Sequence, residues 1–285
     1  MQKIKRDLTR RIFFSIVFVI FAIYALSIIV PIFWLVLNTL KGADEYYLGK
    51  FFPVGFEISN YIEAFSALEV YGTNVVGMML NSMWYAIGGA LLEIICSTCV
   101  AYCMSKYRFW GREILGFVAI AAMIIPIVGA LPSQYKVFEF LNMINSPLIL
   151  LCMTSGLGMN YLVMLAAFDS LSWSYAEASF IDGAGHYRVF FTIMVPQVLP
   201  MISALWLIAF IGIWNDYMSP LIFMPELPTL ATGLYVYEAM NKRNMEMSMP
   251  VYFTGVMLCL IPVFVLFMIF RNTIMDMSLG GGVKE

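Results

Sequence analysis

"YAEASFIDGAGHYRVFFTIMVPQVLP", running from Tyr175 to Pro200, is a polar, glycine-punctuated interval in a chain that is otherwise overwhelmingly apolar. It holds Glu177, Asp182 and the only histidine, His186. With the preceding Ser174 it begins "SYAE", an S-x-x-E capping box: Ser174 would cap a helix while Glu177 reaches back from the N3 position. The helix predicted over "YAEASFID" is short, and Gly183 supplies a residue able to take the left-handed conformation that ends it. Ala184 and Gly185 permit close backbone approach. A second helical run follows through "HYRVFFTIM", and Pro196 and Pro200 punctuate its continuation. The reading is a helix–turn–helix elbow whose small residues Ala176, Ala178 and Ala184 would let another surface pack tightly. An isolated elbow of this size is marginal, so it needs a partner or a membrane beneath it.

The surroundings say which. Of 285 residues, 62% are hydrophobic and 12% charged, whereas soluble domains carry about 25% charged residues. The net charge of −2 gives no footing for nucleic-acid binding. No Lys, Arg, Asp or Glu occurs in 12–40, 70–92, 114–135, 140–168, 189–215 or 247–270. A membrane-crossing helix needs roughly 20 mostly apolar residues, so these gaps predict an all-α polytopic membrane protein with six spans, near 13–38, 75–104, 113–132, 147–168, 197–222 and 250–270. Residues 1–12 and 271–285 are then short flanking segments around a transmembrane domain of 13–270, and the elbow, about 174–196, lies between spans four and five. Lys and Arg set the orientation. With "MQKIKRDLTRR" in the cytoplasm, 11 of them fall on the cytoplasmic side and 5 outside, as the positive-inside rule requires. Both termini and the elbow then face the cytoplasm. The first apolar run is too long for a signal-peptide core and reads as an uncleaved span.

Other features carry less. Cys96, Cys99 and Cys103 form a stripe on span two and read as small buried apolar residues. "SNYIEAF" predicts a short helix capped by Ser59 or Asn60 with Tyr61, Phe65 and Leu68 near one face; partner docking and packing on the membrane interface both fit it. Pro126 and Pro132 interrupt span three, as a pathway break or an ordinary kink. Intramembrane carboxyls demand a partner, water or a proton. Glu93 reads as an interhelical hydrogen-bond partner, with a proton relay as the alternative. Asn215 and Asp216, in "IGIWNDYMSP", suit a sugar pathway or an outer-interface anchor. No GxxxxGK[ST] loop is present, so no ATP hydrolysis is expected of this chain. No catalytic constellation and no metal site stands out.

The elbow resembles the EAA loop of bacterial ABC importer permeases: E-A-A, a Gly four residues after the second Ala, and I-x-L-P ten residues beyond the Gly. Glu177, Ala178, Gly183, Ile193 and Pro196 match; Ser179 and Val195 replace the usual Ala and Leu. The chain is most similar to carbohydrate permeases of the maltose and multiple-sugar type, through "NYIEAF", "NS" at 81–82, "AYCMSKYRFWGRE", "MIIP" with "LPSQY", "WNDYMSPLIF" and the "LGGGVKE" tail. The resemblance implies a non-enzymatic subunit of the bacterial cell membrane, embedded in lipid, paired with a second homologous permease. Two ATPase subunits, which would bind the ATP and Mg, dock below; a sugar-binding protein delivers cargo from outside; this chain binds no cofactor. It makes Glu177, Ala178, Ser179, Asp182, Gly183 and Ala184 the ATPase-coupling residues. An ion-coupled secondary transporter using Glu93 and Asp216, or an ABC permease for a non-sugar substrate, are the alternatives.

Overall fold

The computed structural model describes residues 2–125, 129–244 and 248–280, with side chains over 10–125, 129–240 and 248–272. Among the described residues the architecture is helical, and the single β-bridge, Val70 to Thr73, is isolated. Its helices are α1 (Gln2–Thr39), α2 (Ala43–Tyr47), α3 (Ser59–Ala67), α4 (Val75–Lys106), α5 (Arg112–Ile124), α6 (Leu131–Phe140), α7 (Ile149–Met153), α8 (Met159–Ser170), α9 (Ser174–Ile181) and α10 (His186–Val189). After a π-helical turn at Phe190–Met194 come α11 (Val195–Gln197), α12 (Leu199–Trp214), α13 (Met218–Phe223), α14 (Leu230–Asn244) and α15 (Met249–Gly280). Three stretches are long and apolar enough to cross a membrane: Arg10–Thr39, Val75–Lys106 and Met249–Asn272. A fourth is the pair His186–Gln197 and Leu199–Trp214, bent by 76°. The chain is a multi-pass membrane protein.

The predicted spans near 113–132, 147–168 and 197–222 are not continuous helices. The second of them stops after α7 and restarts at α8. A Cβ on Gly156, in the gap, would lie 3.5 Å from Val100 Cγ2 and 3.7 Å from Cys96 Cβ, so the interruption sits tight against α4. The third divides at Asn215–Tyr217. In the first, Pro132 begins α6 rather than kinking a span, where its missing amide is not needed. Pro126 and the last five residues of the tail lie outside the described residues. The 76° bend has a local cause: Pro200 has no amide proton and its ring crowds the carbonyl four residues back. The π-turn just before Pro196 absorbs a similar disruption.

Two compact units divide the chain, Met1–Leu68 with Glu238–Leu258, and Glu69–Tyr237 with Cys259–Glu285. In the first, the end of α1 is a buried polar knot. Asn60 Nδ2 donates to the carbonyls of Thr39 and Lys41 at 2.9 and 2.8 Å, and Lys41 Nζ donates to Asn38 Oδ1 at 2.9 Å. Burial pushes the Lys41 ammonium pKa down, an effect Glu45 opposes. Neither Ser59 nor Asn60 caps α3. The buried stripe there is Asn60, Ala64 and Leu68, not Tyr61 and Phe65, because Asn60 is needed to close the knot.

The second unit is built on α4. Asn74 Oδ1 caps it by accepting from Gly77 N at 2.9 Å. Small residues Ser82, Ala86, Gly89, Ala90, Ser97 and Ala101 are buried along it, the composition that lets membrane helices approach closely. A Cβ on Gly89 would meet Ile213 Cδ1 of α12 at 3.0 Å. Polar side chains tie the same helix down along its length. Asn81 Nδ2 donates to Pro228 O at 3.1 Å, the Ser82 hydroxyl accepts from Leu230 N at 2.7 Å, and Glu93 Oε1 accepts from Asn160 Nδ2 at 2.7 Å. Glu93 thus has the interhelical partner expected of it. The three cysteines of the stripe are partly or largely exposed rather than buried.

Candidate functional site: the elbow after α8

Elementary capping chemistry shapes the elbow, with one shift from the sequence reading. The helical turn begins at Trp173, one residue earlier than the capping box requires. Ser172, not Ser174, lies outside it, and the Ser172 hydroxyl accepts from Ser174 N at 3.3 Å and meets Ser174 Oγ at 2.8 Å. Glu177 therefore stands one turn into the helix, its amide bonded to Trp173 O at 3.1 Å, with its carboxylate exposed and no reciprocal cap. Trp173 explains the shift: its ring packs between Phe180 and Tyr107 at centroid distances of 6.0 and 6.1 Å, which draws it into the first turn.

The C-terminal stop follows the expected pattern. Gly183 has φ +80°, Ala184 N donates to Ser179 O at 2.9 Å and Gly183 N to Phe180 O at 3.0 Å. These are the paired bonds of a Schellman closure. Nothing of this chain lies within 4 Å of where a Gly183 Cβ would be.

Burial separates two faces. Ala176 is fully buried against the chain's own core, so it is not available to a partner. Glu177, Ala178, Asp182 and Gly183 are exposed, and Ser179 and Ala184 half-buried; the Ser179 hydroxyl bonds back to Tyr175 O at 2.9 Å. The structure thus brings all six sequence-designated residues onto one elbow. It adds three that the sequence reading passed over, Tyr175, Ile181 and Tyr187, whose side chains are 54%, 86% and 84% exposed. Bulky apolar residues inside a polar interval were the signal for them. Around the buried side, Tyr102 contacts the rings of Tyr107, Phe168 and Phe190 at 5.7, 5.4 and 4.7 Å. A groove of about 630 Å³ between the elbow and α4 is lined by Cys99, Cys103, Tyr107, His186, Tyr187 and Phe191, among others.

Asn215 and Asp216 lie apart from the elbow, between α12 and α13. Asp216 Oδ1 accepts from Met218 N and Ser219 N at 3.1 and 3.0 Å, the geometry of an N-cap on α13. Its other oxygen accepts from the Tyr85 hydroxyl at 3.3 Å. Asn215 is exposed and its amide bonds back to Ile211 O at 2.8 Å. Among the described residues no group of three His, Cys, Asp or Glu side chains is placed to hold a metal ion.

The family described as binding-protein-dependent transport system inner membrane component matches residues 93–277. The galactooligosaccharides transport system permease protein GanQ of Bacillus subtilis is 28% identical, over 99% of this chain and 98% of that protein. The maltodextrin transport system permease protein MalD of Streptococcus pneumoniae shows the same figures. The diacetylchitobiose uptake system permease protein NgcG of Streptomyces coelicolor is 23% identical, over 93% and 87%. Among solved structures, a chain of a bacterial ABC transporter that imports the acidic polysaccharide alginate superposes with a TM-score of 0.78 at 21% identity, covering 92% of this chain and 96% of that one.

Proposed function

The chain belongs to the binding-protein-dependent transport system inner membrane components, and from that premise we propose that it is one of two permease subunits of an ATP-driven oligosaccharide importer in a bacterial cell membrane. The relatives named above handle galactooligosaccharides, maltodextrin and diacetylchitobiose, which supports a short glycan as cargo. Translocation is the work of this subunit. ATP and Mg belong to two partner ATPases, and an external binding protein delivers the sugar to this chain and its homologous second permease. Six crossings, some of them by broken helices, put both termini and the elbow in the cytoplasm.

The observation that carries the coupling role is the two-faced elbow. It is anchored inward by Ala176 and closed at Gly183, and it presents Ile181 and Tyr187 outward with Glu177, Ala178 and Asp182. Bulky apolar side chains exposed together on one short elbow favour a partner that covers them. An ATPase cleft at the cytoplasmic face would do so, reading the small residues Ala178, Ser179 and Ala184 by close approach. ATP-driven closure of the ATPase pair would then move the elbow.

Gly183→Val tests this. A β-branched residue at positive φ strains the elbow's own backbone by on the order of 1–2 kcal/mol; the open space around Gly183 means that its added methyl groups crowd only whatever docks there. Permease abundance should stay normal while ATPase recovered with tagged permease drops. Uptake measured with labelled maltotriose, galactobiose and diacetylchitobiose should fall with it. Full ATPase recovery and full uptake would make the elbow a connector only. Orientation is checked in a background lacking the five native cysteines. His186→Cys should react with an impermeant maleimide only from the cytoplasmic side, and Glu57→Cys only from outside; reversed labelling would refute both the topology and the docking.

A further inference from the structure

The two flanks of the elbow are fastened to neighbouring residues of one short run, Ser105–Tyr107. Ser105 Oγ donates to Asp169 Oδ1 at 2.5 Å, and Lys106 Nζ donates to Leu171 O at 2.7 Å, just ahead of α9. On the far side of Gly183, His186 Nδ1 meets the Tyr107 hydroxyl at 2.9 Å, and the His186 ring also packs on Phe180 of α9 at 4.9 Å. Ser105 and Lys106 are the last two residues of α4, and Tyr107 is the extended residue that ends it. α8 is also held to α4 in mid-span through Asn160 and Glu93. Further up the same α4, ten residues from its start, Tyr85 reaches the Asp216 cap of α13. A continuous helix rises about 1.5 Å per residue, so the 21 positions between Tyr85 and Lys106 place the two contacts roughly 30 Å apart on one stiff element.

We infer that Lys106 and Tyr107 are positioning residues that lock the elbow to the end of α4, so that α4 carries elbow movement to the Tyr85–Asp216 contact. This rests on the coupling reading of the elbow and adds the route. The sequence-adjacent route, through α10 and the π-turn into α12, passes a 76° bend and a π-turn, which interrupts the regular helical ladder. The α4 route is a single helix with a side-chain clamp at one end and a capping carboxylate further along it. The clamp is specific in chemistry. A backbone carbonyl at Leu171 needs a cationic or amide donor of lysine's reach, and His186 needs a hydroxyl facing Nδ1.

The test uses the assembled complex with its ATPases, by hydrogen–deuterium exchange with and without ATP plus vanadate. In the wild type, nucleotide should change exchange both in the elbow, 171–186, and around 214–219. In Lys106→Met combined with Tyr107→Phe, the elbow response should persist and the 214–219 response should fall at least about threefold, the range of coupling changes produced by residues along such networks. Lys106→Arg with Tyr107 intact should restore it. A purely structural role would instead raise exchange across the unit without nucleotide, and that outcome overturns the inference. So does a 214–219 response of wild-type size in the double variant. Absence of any elbow response in the wild type would instead overturn the coupling reading itself, which separates the two failures.

Discussion

The helices α1 and α4 both qualify as membrane spans, yet they are solvated in opposite ways. Over α1's most apolar window no residue is buried in the chain, while 44% of α4's window is. The more apolar of the two is the one left uncovered. Its Ser27 hydroxyl turns back onto Tyr24 O at 2.7 Å, so that polar group asks nothing of a neighbour. In α4 the Asn81 carboxamide and the Ser82 hydroxyl reach other elements, and small residues replace bulky ones along the buried stripe. In hydrocarbon, apolar area gives no reason for one helix to prefer another over lipid. Close packing and interhelical hydrogen bonds do, so the lower hydropathy of α4 marks it as the packed helix.

The largest effect that contrast predicts is at a glycine facing α4. A Cβ on Gly233 would overlap Met78 Sδ, far inside van der Waals contact, and Met78 is 1% exposed. Gly233→Val should therefore destabilise the purified subunit in nanodiscs by about 2–3 kcal/mol, since methionine's flexibility relieves only part of the overpacking. Ala25→Val on α1, an exposed position, should lie within about 0.5 kcal/mol of wild type. Thermal unfolding midpoints of the two variants decide it; equal midpoints would dissolve the distinction between a packed and a lipid-facing span.

The same contrast shows what could be read in advance. The spans expected at 13–38, 75–104 and 250–270 match the crossing stretches Arg10–Thr39, Val75–Lys106 and Met249–Asn272 to within a few residues, because length and apolarity alone set those. Continuity inside an interval was not legible. The break between α7 and α8 depends on Gly156 lying against Cys96 and Val100, and the one before α13 on Asp216 capping Met218 and Ser219; both are decided by residues distant in sequence or by backbone turns that hydropathy does not record. In the elbow, the glycine stop was legible because positive φ selects for glycine. The start was not, because Ser172 and Ser174 both fit a cap and only the packing of Trp173 chooses between them. The clamp at Lys106 and Tyr107 joins positions more than sixty residues apart, beyond any local pattern.

Glu93 supplies the smallest expected effect and the sharpest check on what polar groups do in α4. A carboxyl in mid-span is expensive, and the question is whether its charge or its oxygen is being used. The geometry shows an oxygen at work: Glu93 Oε1 accepts from Asn160 Nδ2 at 2.7 Å. Glutamine keeps a carbonyl oxygen at the same reach and gives up only the charge, so Asn160 stays paired and the α4–α8 contact survives. Leucine would leave the Asn160 amide without that acceptor, at a cost of about 1–3 kcal/mol. Glu93→Gln should then keep uptake within about threefold of wild type, less than one logarithmic unit or about 1.4 kcal/mol, with unchanged permease abundance, while Glu93→Leu loses stability. A near-total loss of uptake in Glu93→Gln at normal abundance would mean that α4 holds a chemically active carboxylate rather than a packing bond. It would also remove the reading of that helix as a passive, hydrogen-bonded strut.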